Sequence, residues 1–151
     1  MTQDIEAGLT ALAPQLLGGG ARIDGLKRLS GGASQETWAF SVSAGAASRP
    51  LILRRAPGGG GEARNSTAIG LPAEARLIEA AVAAGVPAPG TAHVCQPGDG
   101  LGEAFIMERV DGETIARKIL RDDTYEHARA RLAAQCGRAL AGIHGIETAK
   151  L

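Results

Sequence analysis

Leu29-Ser30-Gly31-Gly32-Ala33-Ser34-Gln35-Glu36-Thr37-Trp38 is the stretch whose reading decides the fold. Two glycines and two hydroxyl side chains stand between segments of β character. A turn of this kind lets successive backbone N–H groups approach a polyanion closely. Downstream, Leu51-Ile52-Leu53 reads as a buried strand ending on Arg54-Arg55, so an arginine on the next strand supplies the opposing charge.

Working outward, Ile23 to Leu29 and Thr37 to Ser43 read as the two strands flanking the glycine turn, with Trp38, Phe40 and Val42 alternating against Thr37, Ala39 and Ser41. Ala44 to Arg49 reads as a small-residue turn and Leu51 to Arg55 as a third strand, which completes an antiparallel meander. Before the meander, Ile5, Leu9, Leu12 and Leu16 recur at helical spacing. They predict an amphipathic helix over Thr2 to Leu17, capped by Thr2, stopped by Gly18 and open to a kink at Pro14.

After the meander, Pro57 to Gly70 shows no apolar periodicity and reads as a mobile surface loop. Leu71, Ala75, Ile78 and Val82 then share one helical face, with Pro72 in the opening turn and Gly85 as terminator. Glu74 flanks that face. Val86-Pro87-Ala88-Pro89 interrupts helix and leads to a fourth strand, Thr91 to Cys95. The turn Pro97-Gly98-Asp99-Gly100 precedes a fifth, Ala104 to Met107. Beyond Glu108-Arg109-Val110 the chain reads as helical. A short piece covers Thr114 to Leu120, and a long helix runs from about Thr124 to about His144, with Asp122, Asp123 or Thr124 available to cap it. Ala128, Leu132, Cys136, Leu140 and Ile143 form its apolar face, which needs a cover and makes Cys136 a buried small hydrophobe.

Composition narrows the function classes. At 151 residues and 44% hydrophobic content the chain is long enough for a globular core. Sixteen basic and sixteen acidic residues balance, and one Trp, one Tyr and two Phe supply few stacking platforms, which argues against nucleic acid as a partner. No apolar run approaches the roughly 20 residues of a membrane-spanning helix. Cys95 and Cys136 stand far apart and the opening Met1-Thr2-Gln3-Asp4 has no basic-then-apolar pattern, so a reducing cytoplasm is expected. His93, His127 and His144 show no ligand spacing such as HxxxH and read as core or surface residues, with no metal site expected. Among the 22 glycines, Gly18-Gly19-Gly20 and Gly58-Gly59-Gly60-Gly61 read as connectors.

Four stretches, taken in order, resemble a known family: LSGGASQETW (29–38), LILRRAP (51–57), EARLIEAAVAAGVPAP (74–89) and FIMERVDGETI (105–115). They resemble the small lobe of a protein-kinase-like fold, and within it the aminoglycoside phosphotransferase or choline-kinase-like family, in the branch similar to the kinase-like domain attached to some acyl-CoA dehydrogenases. The resemblance implies an α+β fold: a five-stranded antiparallel sheet with an αC-type helix, an N-terminal helix and a C-terminal helical segment. Its implied organisation is a small lobe over 1–110 (helix 1–18, glycine-loop strands 23–56, αC-type helix 71–85, strands and hinge 91–110), then the helical start of a second lobe over 111–151.

Carried residue by residue, the resemblance places Gly31, Gly32, Ala33 and Ser34 over the ATP phosphates. Arg54 takes the place of the strand lysine and Glu74 that of the helix glutamate that holds it. Met107, Glu108, Arg109 and Val110 resemble the hinge, which reads the adenine edge through backbone groups. The family's catalytic loop and its Mg²⁺-binding aspartate belong to the large lobe. In this chain His144-Gly145-Ile146 carries Ile where the loop requires Asp. The resemblance therefore implies the ATP-binding portion of a phosphotransferase acting on a hydroxyl-bearing small molecule, inactive as this fragment, with Mg²⁺ held only through the missing lobe. The alternative is a non-catalytic nucleotide-binding or protein-interaction module that self-associates through the exposed face of the last helix.

Overall fold

The computed structural model describes residues 2–30, 35–60 and 69–147. The chain divides into two units, one built from Met1–Glu79 with Pro89–Arg109 and the other from Ala80–Ala88 with Val110–Leu151.

The first unit holds α1 (Thr2–Leu17), β1 (Arg22–Leu29), β2 (Glu36–Ala44), β3 (Ala47–Arg55), β4 (Thr91–Val94), β5 (Ala104–Glu108) and most of α2 (Leu71–Ala83). The strands form one sheet in the order β1-β2-β3-β5-β4, with every pairing antiparallel. This is the expected α+β architecture. Alternation along each strand divides the apolar residues between two faces. On one face, Trp38, Phe40, Val42, Leu51, Leu53, Ala104 and Ile106 bury themselves with Ile5, Leu9, Leu12 and Leu16 of α1. On the other, Phe105 packs with Leu71 and Ala75 of α2, and Met107 and Ile78 lie at the margin. Each fully buried Leu, Ile or Phe contributes about 1.5–3 kcal/mol relative to exposure.

α1 runs unbroken through Pro14, and Gly18 ends it at φ +99° with its N–H bonded to Pro14 O at 2.9 Å. Thr2 is its first helical residue rather than a cap preceding it. Close approach fixes another glycine: a Cβ at Gly8 would stand 2.8 Å from Asp99 O, so α1 lies directly against the turn before β5.

Three expectations need correction. The run 44–49 is not a turn throughout, because only Gly45 and Ala46 turn and Ala47 already pairs with Ala44. Gly45 at φ +57° makes a two-residue hairpin possible, and ladder bonds need no large side chains to continue through Ser48 and Arg49. Pro57–Gly59 forms a 3-10 turn at the start of the expected loop, whose residues 61–68 lie outside the described ones. Val82, on the expected buried face of α2, is 40% exposed, since the described packing of that helix is concentrated at Leu71 and Ala75.

In the second unit, α3 (Ala116–Arg121) is joined to α4 (Glu126–His144) by a 3-10 turn at Asp123–Tyr125. Asp122 accepts the Thr124 N–H at 3.0 Å and so caps the 3-10 turn, whereas α4 begins after Tyr125 with no side-chain cap, so none of the three expected residues caps the long helix. Arg129 of α4 donates to Ile119 O at 3.0 Å and Asp122 O at 2.6 Å, satisfying carbonyls at the end of α3. Glu113 accepts the Thr114 and Ile115 N–H groups at 2.9 Å each and pairs with Lys118, which closes the start of α3. Cys136 is exposed, as are Leu132, Leu140 and Ile143, so the apolar face of α4 does not bury the thiol as expected. Within this unit α4 comes close to the segment after α2, where a Cβ at Gly142 would stand 2.9 Å from Val86 Cγ2.

Candidate functional site

Arg54 and Arg55 are neighbours in sequence and separated in space by the pleat of β3. Arg55 stands opposite Glu36 and Arg54 opposite Thr37 in the ladder, so the two guanidinium groups leave the sheet on opposite faces. Each finds its own carboxylate.

On the α2 face, Arg54 Nη1 donates to Glu74 and Nη2 donates to the Gln35 side-chain oxygen. Gln35 in turn donates to the second Glu74 oxygen at 3.4 Å. The three side chains close a ring of hydrogen bonds in which both arms of the guanidinium are held. Phe105, directly opposite Arg54 on β5, lies beneath it with the guanidinium carbon 5.7 Å from the ring centroid. Arg54 and Glu74 each keep about a quarter of their side-chain surface exposed, so this charge pair remains open to a ligand.

On the α1 face, Arg55 donates to Glu36 at 3.1 Å and to Leu101 O at 2.7 Å. Glu36 is buried and also accepts from Gly58 N–H at 3.4 Å and the Trp38 indole at 3.5 Å, while Arg28 stacks over Trp38. Burial pushes the Glu36 carboxyl up, but the Arg55, Gly58 and Trp38 hydrogen bonds together outweigh it and hold the group below its ordinary value of 4.5. This second pair ties the start of β2 to the end of β3 on the face opposite Arg54.

The position of Glu74 follows from how α2 begins. Leu71 N–H, one of the unsatisfied donors of the first turn, is accepted by Glu103 at 2.8 Å. Glu103 is itself fixed in the backbone, its O accepting from Ala56 N and its N–H donating to Gly59 O, both at 2.9 Å. The start of α2, the end of β3 and the approach to β5 are thus tied at one residue, and Glu74 follows one turn later. At the far end of β5, Glu108 N–H donates to Gly90 O at 2.9 Å and Arg109 N–H to Pro50 O at 3.2 Å. Glu108 also pairs with Arg49 at 3.4 Å, and Val110, the first residue of the other unit, is exposed.

A strand arginine held by a helix carboxylate and by the residue that follows the Gly31-Gly32 run in sequence makes a specific arrangement. A family model described as the phosphotransferase enzyme family matches residues 25–151. The chain belongs to this family. No curated protein and no solved structure matched it.

Of the residues that the phosphotransferase resemblance singles out, Arg54 and Glu74 stand in direct contact, and Met107 and Glu108 lie on the strand beside them. Gly31, Gly32, Ala33 and Ser34 lie outside the described residues. Reading the sequence missed Gln35, Glu103 and Phe105. Gln35 follows the glycine turn immediately and was legible as a polar residue entering a strand, whereas the pairing of Glu103 with a helix that begins 32 residues earlier leaves no local signal. No helix among the described residues is long and apolar enough to cross a membrane.

Proposed function

We propose that this chain is the nucleotide-binding portion of a phosphotransferase that moves the γ-phosphoryl group of ATP to a hydroxyl of a small molecule. The observation that carries this reading is the two-sided grip on Arg54 by Glu74 and Gln35. A guanidinium has five N–H donors in a rigid plane, and a carboxylate and an amide oxygen occupy only part of that set. The remainder suits phosphate oxygens, and Gln35, which follows residues 31–34 directly in sequence, is bonded to the cation. Backbone N–H groups of 31–34 and the Arg54 charge would then hold the polyphosphate from two sides, the binding mode expected where catalysis rests on positioning and charge neutralisation.

At the adenine end, the Glu108 and Arg109 N–H groups are already committed to Gly90 and Pro50. The adenine edge would therefore use the carbonyl side of Glu108 and the Val110 N–H, with Met107 beside the ring. Mg²⁺ supplies charge neutralisation between the phosphates when bound. In the family its ligands and the base for the acceptor hydroxyl belong to the catalytic loop and a later aspartate, and His144-Gly145-Ile146 does not supply that base. With Ile146 where the family's catalytic loop requires Asp, we expect residues 1–151 to bind nucleotide without turning it over. The branch resemblance favours a hydroxylated metabolite, of acyl type, over an antibiotic as acceptor, and the two unpaired cysteines suit a reducing cytoplasm.

Thermal unfolding with and without ATP tests the reading. At a nucleotide concentration about 100 times Kd the chain should gain ~2.7 kcal/mol, and Arg54→Ala should lose most of that gain while folding normally. A wild-type chain indifferent to ATP overturns it. The exposed Leu132, Leu140 and Ile143 on α4 favour a second reading, an interaction module, for which the same chain would be a dimer in solution and unresponsive to nucleotide.

A further inference from the structure

His93 of β4 and Cys95, just past its end, lie on one side of the sheet. A register shift between Thr91 and His93 sets His93 opposite Ile106, while Cys95 donates its N–H to Ala104 O at 3.0 Å. Ile106 and Ala104 both belong to the α1 face, opposite to the face that carries Arg54, Phe105 and Glu74. The 3-10 turn Pro97–Asp99 then folds Asp99 back over the strand. One ligand atom from each of His93, Cys95 and Asp99 lies within 4.8 Å of the other two.

We propose that His93, Cys95 and Asp99 form a binding site for a divalent cation of the zinc class. One imidazole, one thiolate and one carboxylate make a borderline-soft donor set of the kind that selects zinc over magnesium or calcium. Tetrahedral bonds of about 2.0–2.3 Å separate neighbouring ligand atoms by roughly 3.4–3.6 Å. A closure of about an ångström from the widest spacing brings the three donors to that geometry, and a water completes the fourth position. His93 and Asp99 are half-buried, so the ion has a path to solvent, whereas Cys95 sits in the core.

The surroundings hold the donors in place. Asp99 Oδ2 accepts the Gln96 N–H at 2.7 Å, a bond that orients the carboxylate. The turn bearing Asp99 is pinned by α1 at Gly8, where a Cβ would meet Asp99 O at 2.8 Å. His93 Nε2 now lies 2.8 Å from Asp99 Oδ2, and that contact gives way to the metal bonds. On binding, the Cys95 sulfur loses its proton to solvent as the S–metal bond forms. Burial, with the Asp99 charge beside it, pushes the free thiol up to about 12, and a dication is the neighbour that reverses that penalty. His-x-Cys at strand spacing followed by an Asp in the next turn is the sequence signature, and it differs from the helical HxxxH pattern.

Cobalt titration of the full chain tests the site. Wild type should take one Co²⁺ per chain with a thiolate-to-cobalt charge-transfer band, displaced by Zn²⁺. Cys95→Ser should abolish the band, Cys136→Ser should keep it, and His93→Ala should weaken affinity by more than the roughly 10–100-fold that loss of an outer-shell partner costs. Because Cys95 is in the core, the half-exposed His93→Ala carries the test if Cys95→Ser does not fold. Absence of the band in wild type at large cobalt excess, its loss in Cys136→Ser, or unchanged affinity in His93→Ala would overturn the proposal.

Discussion

Glu103 accepts the Leu71 N–H at 2.8 Å, and through that bond the residue before β5 fixes where α2 begins. A carboxylate at a helix N-terminus satisfies an otherwise unpaired donor and meets the positive end of the helix dipole. Glu103→Ala should therefore lower stability by about 1 kcal/mol, the usual worth of such a cap, with faster amide exchange at 71–75 than at the centre of the sheet. Denaturant unfolding and hydrogen exchange read both effects. A Glu103→Ala chain with unchanged exchange at 71–75 would show that Phe105, Leu71 and Ala75 alone set the helix start.

The second prediction separates binding from folding at Arg54. The pair with Glu74 is partly exposed, and exposed pairs contribute only about 0–1 kcal/mol, so Arg54→Ala and Glu74→Ala should unfold within ~1 kcal/mol of wild type. Hydrogen bonds to a charged group are worth about 1.5–3 kcal/mol, so each change should weaken ATP by roughly 10–100-fold by calorimetry. Arg54→Lys should fall between, because an ammonium cannot hold Glu74 and Gln35 with two separate planar arms. Equal ATP affinity in Arg54→Ala and wild type would remove Arg54 from the site.

Much of this was legible in the sequence because period and punctuation carried it. The alternation Trp38, Phe40, Val42 and the helical recurrence Ile5, Leu9, Leu12, Leu16 each correspond to residues buried on one face. The pairing of Arg54 with Glu74 was legible only through resemblance, since nothing local to residue 54 points to a helix 20 residues on. What stayed hidden has a common cause. Cys136 lies on an apolar helical face, yet periodicity says which residues share a face and not whether another element covers it. The bond between Glu103 and Leu71 joins residues 32 apart where two segments cross, which carries no period. The hairpin at Gly45 is narrower than the run of small residues suggests, because the backbone ladder continues through Ser48 and Arg49.

Gly102 offers a sharper test of the junction around Glu103. It adopts φ +70°, and a Cβ there would stand 2.1 Å from Gly59 O, the carbonyl that accepts Glu103 N–H. Left-handed backbone alone costs a non-glycine residue of order 1–3 kcal/mol, and the clash with backbone adds to it. Gly102→Ala should destabilise by more than ~3 kcal/mol and shift the amide signals of Gly59 and Glu103. Gly98→Ala, where a Cβ meets open space, should cost little and serves as the control. A Gly102→Ala chain as stable as Gly98→Ala would mean that the 57–60 turn does not rest on residue 102.

The buried pair on the other face gives a pH dependence with a definite sign. Glu36 has a folded pKa below its unfolded value of 4.5, so between the two values the unfolded chain binds the extra proton. Its contribution to stability is fully present above about 4.5 and is lost as pH falls through the lower, folded value. Glu36→Gln removes this titration and leaves the partly buried Arg55 guanidinium without its counterion, a change that costs up to roughly 3 kcal/mol at neutral pH, since Arg55 keeps its bond to Leu101 O. The difference between wild type and Glu36→Gln should therefore be constant from pH 7 down to about 5 and narrow below 4.5, as the wild-type carboxyl becomes protonated and wild type, like the variant, lacks the charge pair. Urea unfolding across that range measures it. A difference that stays constant below pH 4 would show that the Glu36 carboxyl does not titrate there, and a difference that widens on acidification would reverse the sign assigned to it.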